Sequence, residues 1–169
     1  MIAFPEGKSG HYTIPDSVTS IGREAFALVN SLTSVTIPDS VTSIGREAFA
    51  GATSLTNINI PDSVTSIGIE AFFECSSLTS VIIPDSVTSI GSGAFASCSS
   101  LTSVTISNSV TSIDEFTFGG TKLTEVTIPN PNAVIADNAF DSSVTINAAF
   151  YSAPLTYLVE GNSVTIIDC

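Results

Sequence analysis

Five near-identical segments start at Ile14, Ile37, Ile60, Ile83 and Ile106, each start 23 residues after the last. A shorter, decayed copy opens at Ile128, 22 residues on. A fixed period in this range is the signature of a solenoid, in which one winding is copied along an axis. A unit of 23 residues cannot bury its apolar side chains alone. Stacking solves the problem, because each coil covers the open end of its neighbour.

Each unit contains two short runs. The first is Leu78-Thr79-Ser80-Val81-Ile82-Ile83, closed by Pro84 and Asp85. Val81 and Ile83 stand at period 2, as on one face of a strand. Val, Ile and Thr suit a pleated, half-buried surface. Proline then removes a backbone donor and ends the strand. The second run is Val87-Thr88-Ser89-Ile90-Gly91. Val87 and Ile90 face inward on a short strand or bridge, and Gly91 permits a sharp bend. Arg46-Glu47-Ala48-Phe49 and its equivalents then read as one helical or 3-10 turn, too short to stand alone.

The expected fold is therefore a repeat solenoid, mainly β, with parallel strands roughly 4.8 Å apart and a rod roughly 30 Å long. Phe26, Phe49, Phe72, Phe95, Phe118 and Phe140 recur once per coil and are expected to stack as an internal spine. Residues 1–13 form an atypical N-terminal segment or partial coil. Residues 14–146 form a solenoid of about six coils. Residues 147–169 follow another rule: Leu155–Val159 and Ser163–Ile167 flank Glu160-Gly161-Asn162, a β-hairpin with a three-residue loop. That hairpin is either a cap or the start of a next module.

The pattern Leu-x-x-Val-x-Ile-Pro-x-Ser-Val-x-x-Ile-Gly-x-x-Ala-Phe-x-x-Cys resembles the bacterial BspA-type (Treponema pallidum type) leucine-rich repeat. The match runs from about Ile14 to Ile146. The resemblance implies a right-handed solenoid whose concave face is a parallel sheet of Leu-Thr-Ser-Val-Thr-Ile segments. It also implies a surface or secreted protein concerned with adhesion and protein binding. It names no ligand.

Composition narrows the function classes. Sixteen acidic residues face four basic ones, Lys8, Arg23, Arg46 and Lys122, for a net charge of −12. This argues against a nucleic-acid partner or an anionic-membrane patch. No apolar run approaches the length that spans a bilayer. Met1 to Gly10 lacks the layout of a signal peptide.

Cys75 and Cys98 share one slot in successive coils and read as a buried, reduced ladder, with a disulfide sterically conceivable. No His stands at ligand spacing from them, so no metal or cofactor is expected. Gly7-Lys8-Ser9 lacks the rest of a phosphate loop. Asp16, Asp39, Asp62 and Asp85 form a file at the turn, read as local turn hydrogen bonding, with calcium between coils as the alternative. Arg23-Glu24 and Arg46-Glu47 read as a solvated edge with weak pairs. His11, the single histidine, has no serine or cysteine placed as a partner in the sequence. A nucleophile would be singular, whereas the serines repeat at every coil, so no catalytic residue is assigned.

The outward positions form ladders. Thr33, Thr56, Thr79, Thr102 and Thr124 recur once per coil, as do Thr36, Thr105 and Thr127, with Asn59 and Ile82 intervening. Thr42, Thr65, Thr88 and Thr111 stack on the second face. The leading expectation is a non-enzymatic adhesion or protein-binding module. Thr33, Thr36, Thr56, Thr79, Thr102 and Thr105 are its candidate face toward a protein or glycan. The alternatives are a structural spacer, a self-associating segment joined end to end as a homo-oligomer, and ice binding through the threonine files.

Overall fold

β-Branched side chains favour the extended chain at the start of each coil, and the following proline limits its length. The computed structural model describes residues 9–148, 156–160 and 163–168. The first runs form β1 (Gly10–Thr13), β3 (Leu32–Thr36), β5 (Asn57–Ile58), β7 (Ser80–Ile82), β9 (Ser103–Thr105), β11 (Glu125–Ile128) and β13 (Thr145–Ala148). The second runs form two-residue strands: β2 (Ser20–Ile21), β4 (Ser43–Ile44), β6 (Ser66–Ile67), β8 (Ser89–Ile90), β10 (Ser112–Ile113) and β12 (Val134–Ile135). Paired coils run parallel, with Ser66 opposite Ser89 and Ile67 opposite Ile90. The architecture is a parallel-strand β-solenoid of about six turns.

The two ladders differ in continuity. The short strands make one unbroken six-stranded sheet, β2 to β12. The longer strands fall into three pieces, β1-β3-β5, β7-β9 and β11-β13. The ladder is thus interrupted between β5 and β7, where Thr79 N still donates to Thr56 O at 3.4 Å, and between β9 and β11, where Lys122 N donates to Leu101 O at 2.9 Å. Two further strands, β14 (Thr156–Glu160) and β15 (Ser163–Asp168), pair antiparallel, and Glu160 lies opposite Ser163. Glu160 thus belongs to a strand rather than to the three-residue loop read from the sequence. Ile2 to Pro5, Gly7, Lys8 and Cys169 lie outside the described residues.

The third part of each coil corrects the sequence reading: among the described residues it contains no helical or 3-10 segment. The reason lies in where the donors point. The amides of Glu47, Phe49 and Gly51 donate to Ile69, Ala71 and Phe73 of the following coil, at 2.9, 2.8 and 2.7 Å. The amides between them, Ala48, Ala50 and Ala52, donate back to Gly45, Glu47 and Phe49 at 3.3, 3.1 and 3.0 Å. A helix keeps all such bonds within its own segment. This turn sends alternate ones along the stack. Two positions per coil take positive φ to do so: Glu24 and Leu28, Glu47 and Gly51, Glu70 and Glu74, Gly93 and Ser97, Phe116 and Gly120.

The glycine that opens this turn has a different task from the bend expected of it. A Cβ on Gly45, Gly68 or Gly91 would come within 2.7–2.8 Å of the preceding coil's backbone. Close approach, not positive φ, requires glycine there. Asp114 holds the same slot in coil five, and its amide reaches Ile90 O at 3.4 Å, against 2.8 Å from Gly68 to Ile44 O. The added side chain widens that junction.

The core lies inside the coils. Phe26, Phe49, Phe72, Phe95 and Phe118 are almost completely buried and Phe140 is 8% exposed. Successive ring centroids lie 4.9–5.4 Å apart with planes within 2–8° of parallel. Tyr12 continues the column at its N-terminal end, 5.7 Å from Phe26 and tilted by 57°. Val41, Val64 and Val87 form a second buried file beside Ile44, Ile67 and Ile90. Thr117 is a fully buried polar residue, and its hydroxyl donates to Asp114 O at 2.8 Å, with Gly91 O a second, longer acceptor at 3.3 Å.

Candidate functional site

Inward alternation of Val and Ile leaves the intervening side chains on the outer surface of the long-strand sheet. Thr33, Thr36, Thr56, Thr79, Thr102 and Thr105 are all exposed. In-register pairing aligns them as files, and Ile82 stands opposite Thr105 in the second file. The files are not free hydroxyl arrays. Thr56 Oγ1 donates to Thr33 O at 3.2 Å, and Thr102 Oγ1 donates to Thr79 O at 3.3 Å. On the short-strand side, Thr42, Thr65 and Thr111 donate to Thr19, Thr42 and Thr88 carbonyls at 3.0–3.2 Å. Those hydroxyls tie coil to coil. They turn methyl groups and oxygen lone pairs toward any partner.

Ile82 was not among the candidate residues, yet it is 66% exposed in the middle of the polar file. Its signal was present in the sequence, because it fills a slot held by Thr36 and Thr105. The sheet surface then dips where the ladder opens between β9 and β11. A groove of about 450 Å³ there is lined by Thr102, Ser103, Val104, Thr105, Glu125 and Asn147, among others. Val104 is only partly buried, whereas Val35, Val81 and Val126 are buried.

His11 corrects a further reading, since serine does stand beside it. The regular register sets His11 opposite Ser34, and the irregularity falls before it, where Gly10 pairs with Leu32. Nδ1 lies 2.8 Å from Ser34 Oγ, and Nε2 lies 3.2 Å from both Thr13 Oγ1 and Thr36 Oγ1. Hydroxyls surround the exposed ring, and the third member of a nucleophilic relay would be a carboxylate or amide. The cluster extends the hydroxyl face to its first coil.

The turn edge is charged. Arg23 Nη2 lies 2.8 Å from Glu24 Oε1, Arg46 Nε 2.6 Å from Glu47 Oε1, and Arg46 Nη2 3.3 Å from Glu70 Oε2. The hydrogen bond from Arg46 holds the Glu47 carboxyl below its ordinary value. Asp16, Asp39, Asp62 and Asp85 are exposed. Among the described residues no group of three or more His, Cys, Asp or Glu is placed to hold a metal ion. No helix among them is long and apolar enough to cross a membrane. Cys75 and Cys98 are free and buried. Their thiols donate to Phe49 O at 3.3 Å and Phe72 O at 3.2 Å. Burial raises both thiols, Cys98 to about 12.

This geometry has relatives. Six copies of the BspA type leucine rich repeat region match residues 19–147. No curated protein sequence matches the chain. The crystal structure of a T. pallidum leucine-rich repeat protein is similar, with 30% identity and a TM-score of 0.70, over 83% of this chain and 74% of that one. A leucine-rich repeat protein from Bacteroides ovatus shows 34% identity and a TM-score of 0.73, over 82% of this chain and 37% of its own. A leucine rich cell surface protein from Faecalibacterium prausnitzii shows 31% identity and a TM-score of 0.63, over 95% and 52%. The chain thus spans about a third to three quarters of these relatives. With six in-register copies, a phenylalanine column and this likeness together, the chain belongs to the BspA-type leucine-rich repeat family.

Proposed function

We propose that the chain is a non-enzymatic recognition module whose contact surface is the exposed long-strand sheet. The family is a class of interaction or structural repeat proteins and is generally non-enzymatic. The observation that carries the reading is Ile82, 66% exposed in the middle of a hydroxyl-and-methyl face. Beside it the opened ladder adds a groove of about 450 Å³ bordered by Thr102 and Thr105. The unbroken short-strand sheet ties each coil to the next, so a partner docks with little loss of chain freedom. The face carries few charges, so shape and hydrogen bonds outweigh electrostatic steering. A relative described as a leucine rich cell surface protein supports adding a place at the cell surface to this reading.

The test is a glycan and extracellular-protein array, read with the wild-type chain and with Ile82→Lys and Thr79→Lys. The expected result is at least one wild-type signal lost in both variants at unchanged melting temperature. Identical patterns for all three proteins would leave the spacer reading in place.

A further inference from the structure

The coil that opens at Ile106, the fifth counted from Ile14, is joined to its neighbours differently from coils two to four. The glycine slot of Gly45, Gly68 and Gly91 is taken there by Asp114. A Cβ in that slot of coils two to four would meet the preceding coil's backbone at 2.7–2.8 Å, so coil five stands off from coil four along the short-strand side. The Asp114 N–H reaches Ile90 O at 3.4 Å, where Gly45, Gly68 and Gly91 make the same bond at 2.8–3.0 Å. Three further changes fall on this junction. Ser107 holds the place of Pro38, Pro61 and Pro84, and the turn bond from Val110 N lengthens to 3.4 Å, against 3.0–3.1 Å in those coils. Thr117 holds the buried place of Ala48, Ala71 and Ala94, and so brings a hydroxyl into the core. Phe95 and Phe118 are the most widely spaced neighbours among the stacked phenylalanines, at 5.4 Å.

The long-strand side of the same junction is intact. β7 and β9 pair over their whole length, and Ile83 N donates to Thr105 O at 2.8 Å. On the far side of coil five the arrangement reverses. β9 and β11 form no ladder, and Val104 is only partly buried beside the gap. There the short strands β10 and β12 pair instead, and Ala136 N donates to Ile113 O at 3.0 Å. Coil five is thus held to coil four along one side and to coil six along the other, which is the arrangement of a hinge.

We infer that residues 107–148 swing away from the body of the solenoid as one unit, pivoting on the β7–β9 pair, at a free energy below that of unfolding the whole chain. In a stack of repeats each coil is stabilised by its nearest neighbours, so the stack divides where one such interface is weakened. Elements with the fewest cross-bonds open first. Coils two to four, closed by glycine at each rung, stay together. Opening uncovers the facing sides of Phe95 and Phe118 and leaves the outer surface of β7 and β9, with Ile82 and Thr105, on the fixed body.

The test is native-state hydrogen exchange on the full chain in low urea, corrected for intrinsic rates. The bonds that cross the joint name the reporters. Phe95 N and Ser97 N belong to coil four but donate to Thr117 O and Gly119 O of coil five, each at 2.8 Å. Phe49 N and Phe72 N hold the place of Phe95 in earlier coils and donate to Ala71 O and Ala94 O, within the body. The amides of Phe95, Ser97, Thr111 and Asp114 are expected to exchange as one group, about tenfold or more faster than Phe49 and Phe72. Ile83 and Thr102, which donate across the pivot to Thr105 O and Thr79 O, are expected to exchange with the slow group. Asp114→Gly restores the close approach and is expected to slow the fast group by about threefold or more, with Phe49 and Phe72 unchanged. Equal protection of Phe95 and Phe72, or a fast group indifferent to Asp114→Gly, overturns the inference. So does a fast group that includes Thr102, because the pivot would then be absent.

Discussion

Gly68 lies so close to Arg46 of the preceding coil that a Cβ built on it would stand 2.7 Å from the Arg46 amide nitrogen. The obstacle is backbone, which cannot swing aside. Gly68→Ala is expected to cost about 1–3 kcal/mol by overpacking. Gly22 holds the equivalent slot in the first coil and would meet nothing within 4 Å. Gly22→Ala is expected to be neutral or stabilising by up to about 1 kcal/mol. Denaturant melts of the two variants check the contrast.

Phe72 stacks on Phe49 at 5.2 Å and on Phe95 at 5.1 Å, with no exposed surface. Phe72→Ala is expected to destabilise by about 3–5 kcal/mol. A loss below about 1 kcal/mol in a urea melt would contradict a load shared along the column.

Glu74 and Gly51 share one turn slot at positive φ, 56° and 70°. Glu74→Gly relieves a left-handed side chain at an exposed position and is expected to raise stability by about 0.5 kcal/mol, net of the entropy glycine gains on unfolding. Gly51→Ala acts in the opposite sense. Its Cβ would lie 2.7 Å from Leu28 Cδ2, and the expected loss is about 1–2 kcal/mol. Thermal melts of the pair test the sign.

The buried thiols make stability depend on alkaline pH. Burial raises Cys75 and Cys98 above the ordinary thiol value, Cys98 to about 12. The unfolded chain then loses thiol protons first, from about pH 8.5 upward. Their contribution is fully present below that pH and is lost as pH rises toward the folded values. Urea melts between pH 7 and 10 are expected to fall more steeply for the wild type than for a Cys75→Ala, Cys98→Ala double variant. Alkylation of both thiols at pH 8 is expected to require unfolding.

Much of the architecture was legible because a strict period carries its own register. Once Ile60 and Ile83 are known to be equivalent, every partner in the stack follows by counting. The turn was not legible, because Arg-Glu-Ala-Phe has good helical propensity and the competing term is non-local. Glu47 and Phe49 donate to the next coil, and a single repeat read alone does not reveal that bond. Gly91 was assigned to a bend for the same reason: its crowding comes from Ile69, which sits a whole coil away. Ser34 stands one full period after His11, so their pairing was open to counting once β1 was recognised as part of the stack. The threonine files were readable as exposed, but their donation to carbonyls of the preceding coil was not.

In-register stacking also bears on how such a chain changes size. Because Ile67 meets Ile90 as Ile44 meets Ile67, a whole rung can be removed or inserted and each new junction repeats an existing one. A chain lengthened or shortened in this way still closes its interior. Lineages carrying this fold are thus free to vary in length by whole windings, while a shift of any other number of residues breaks the column.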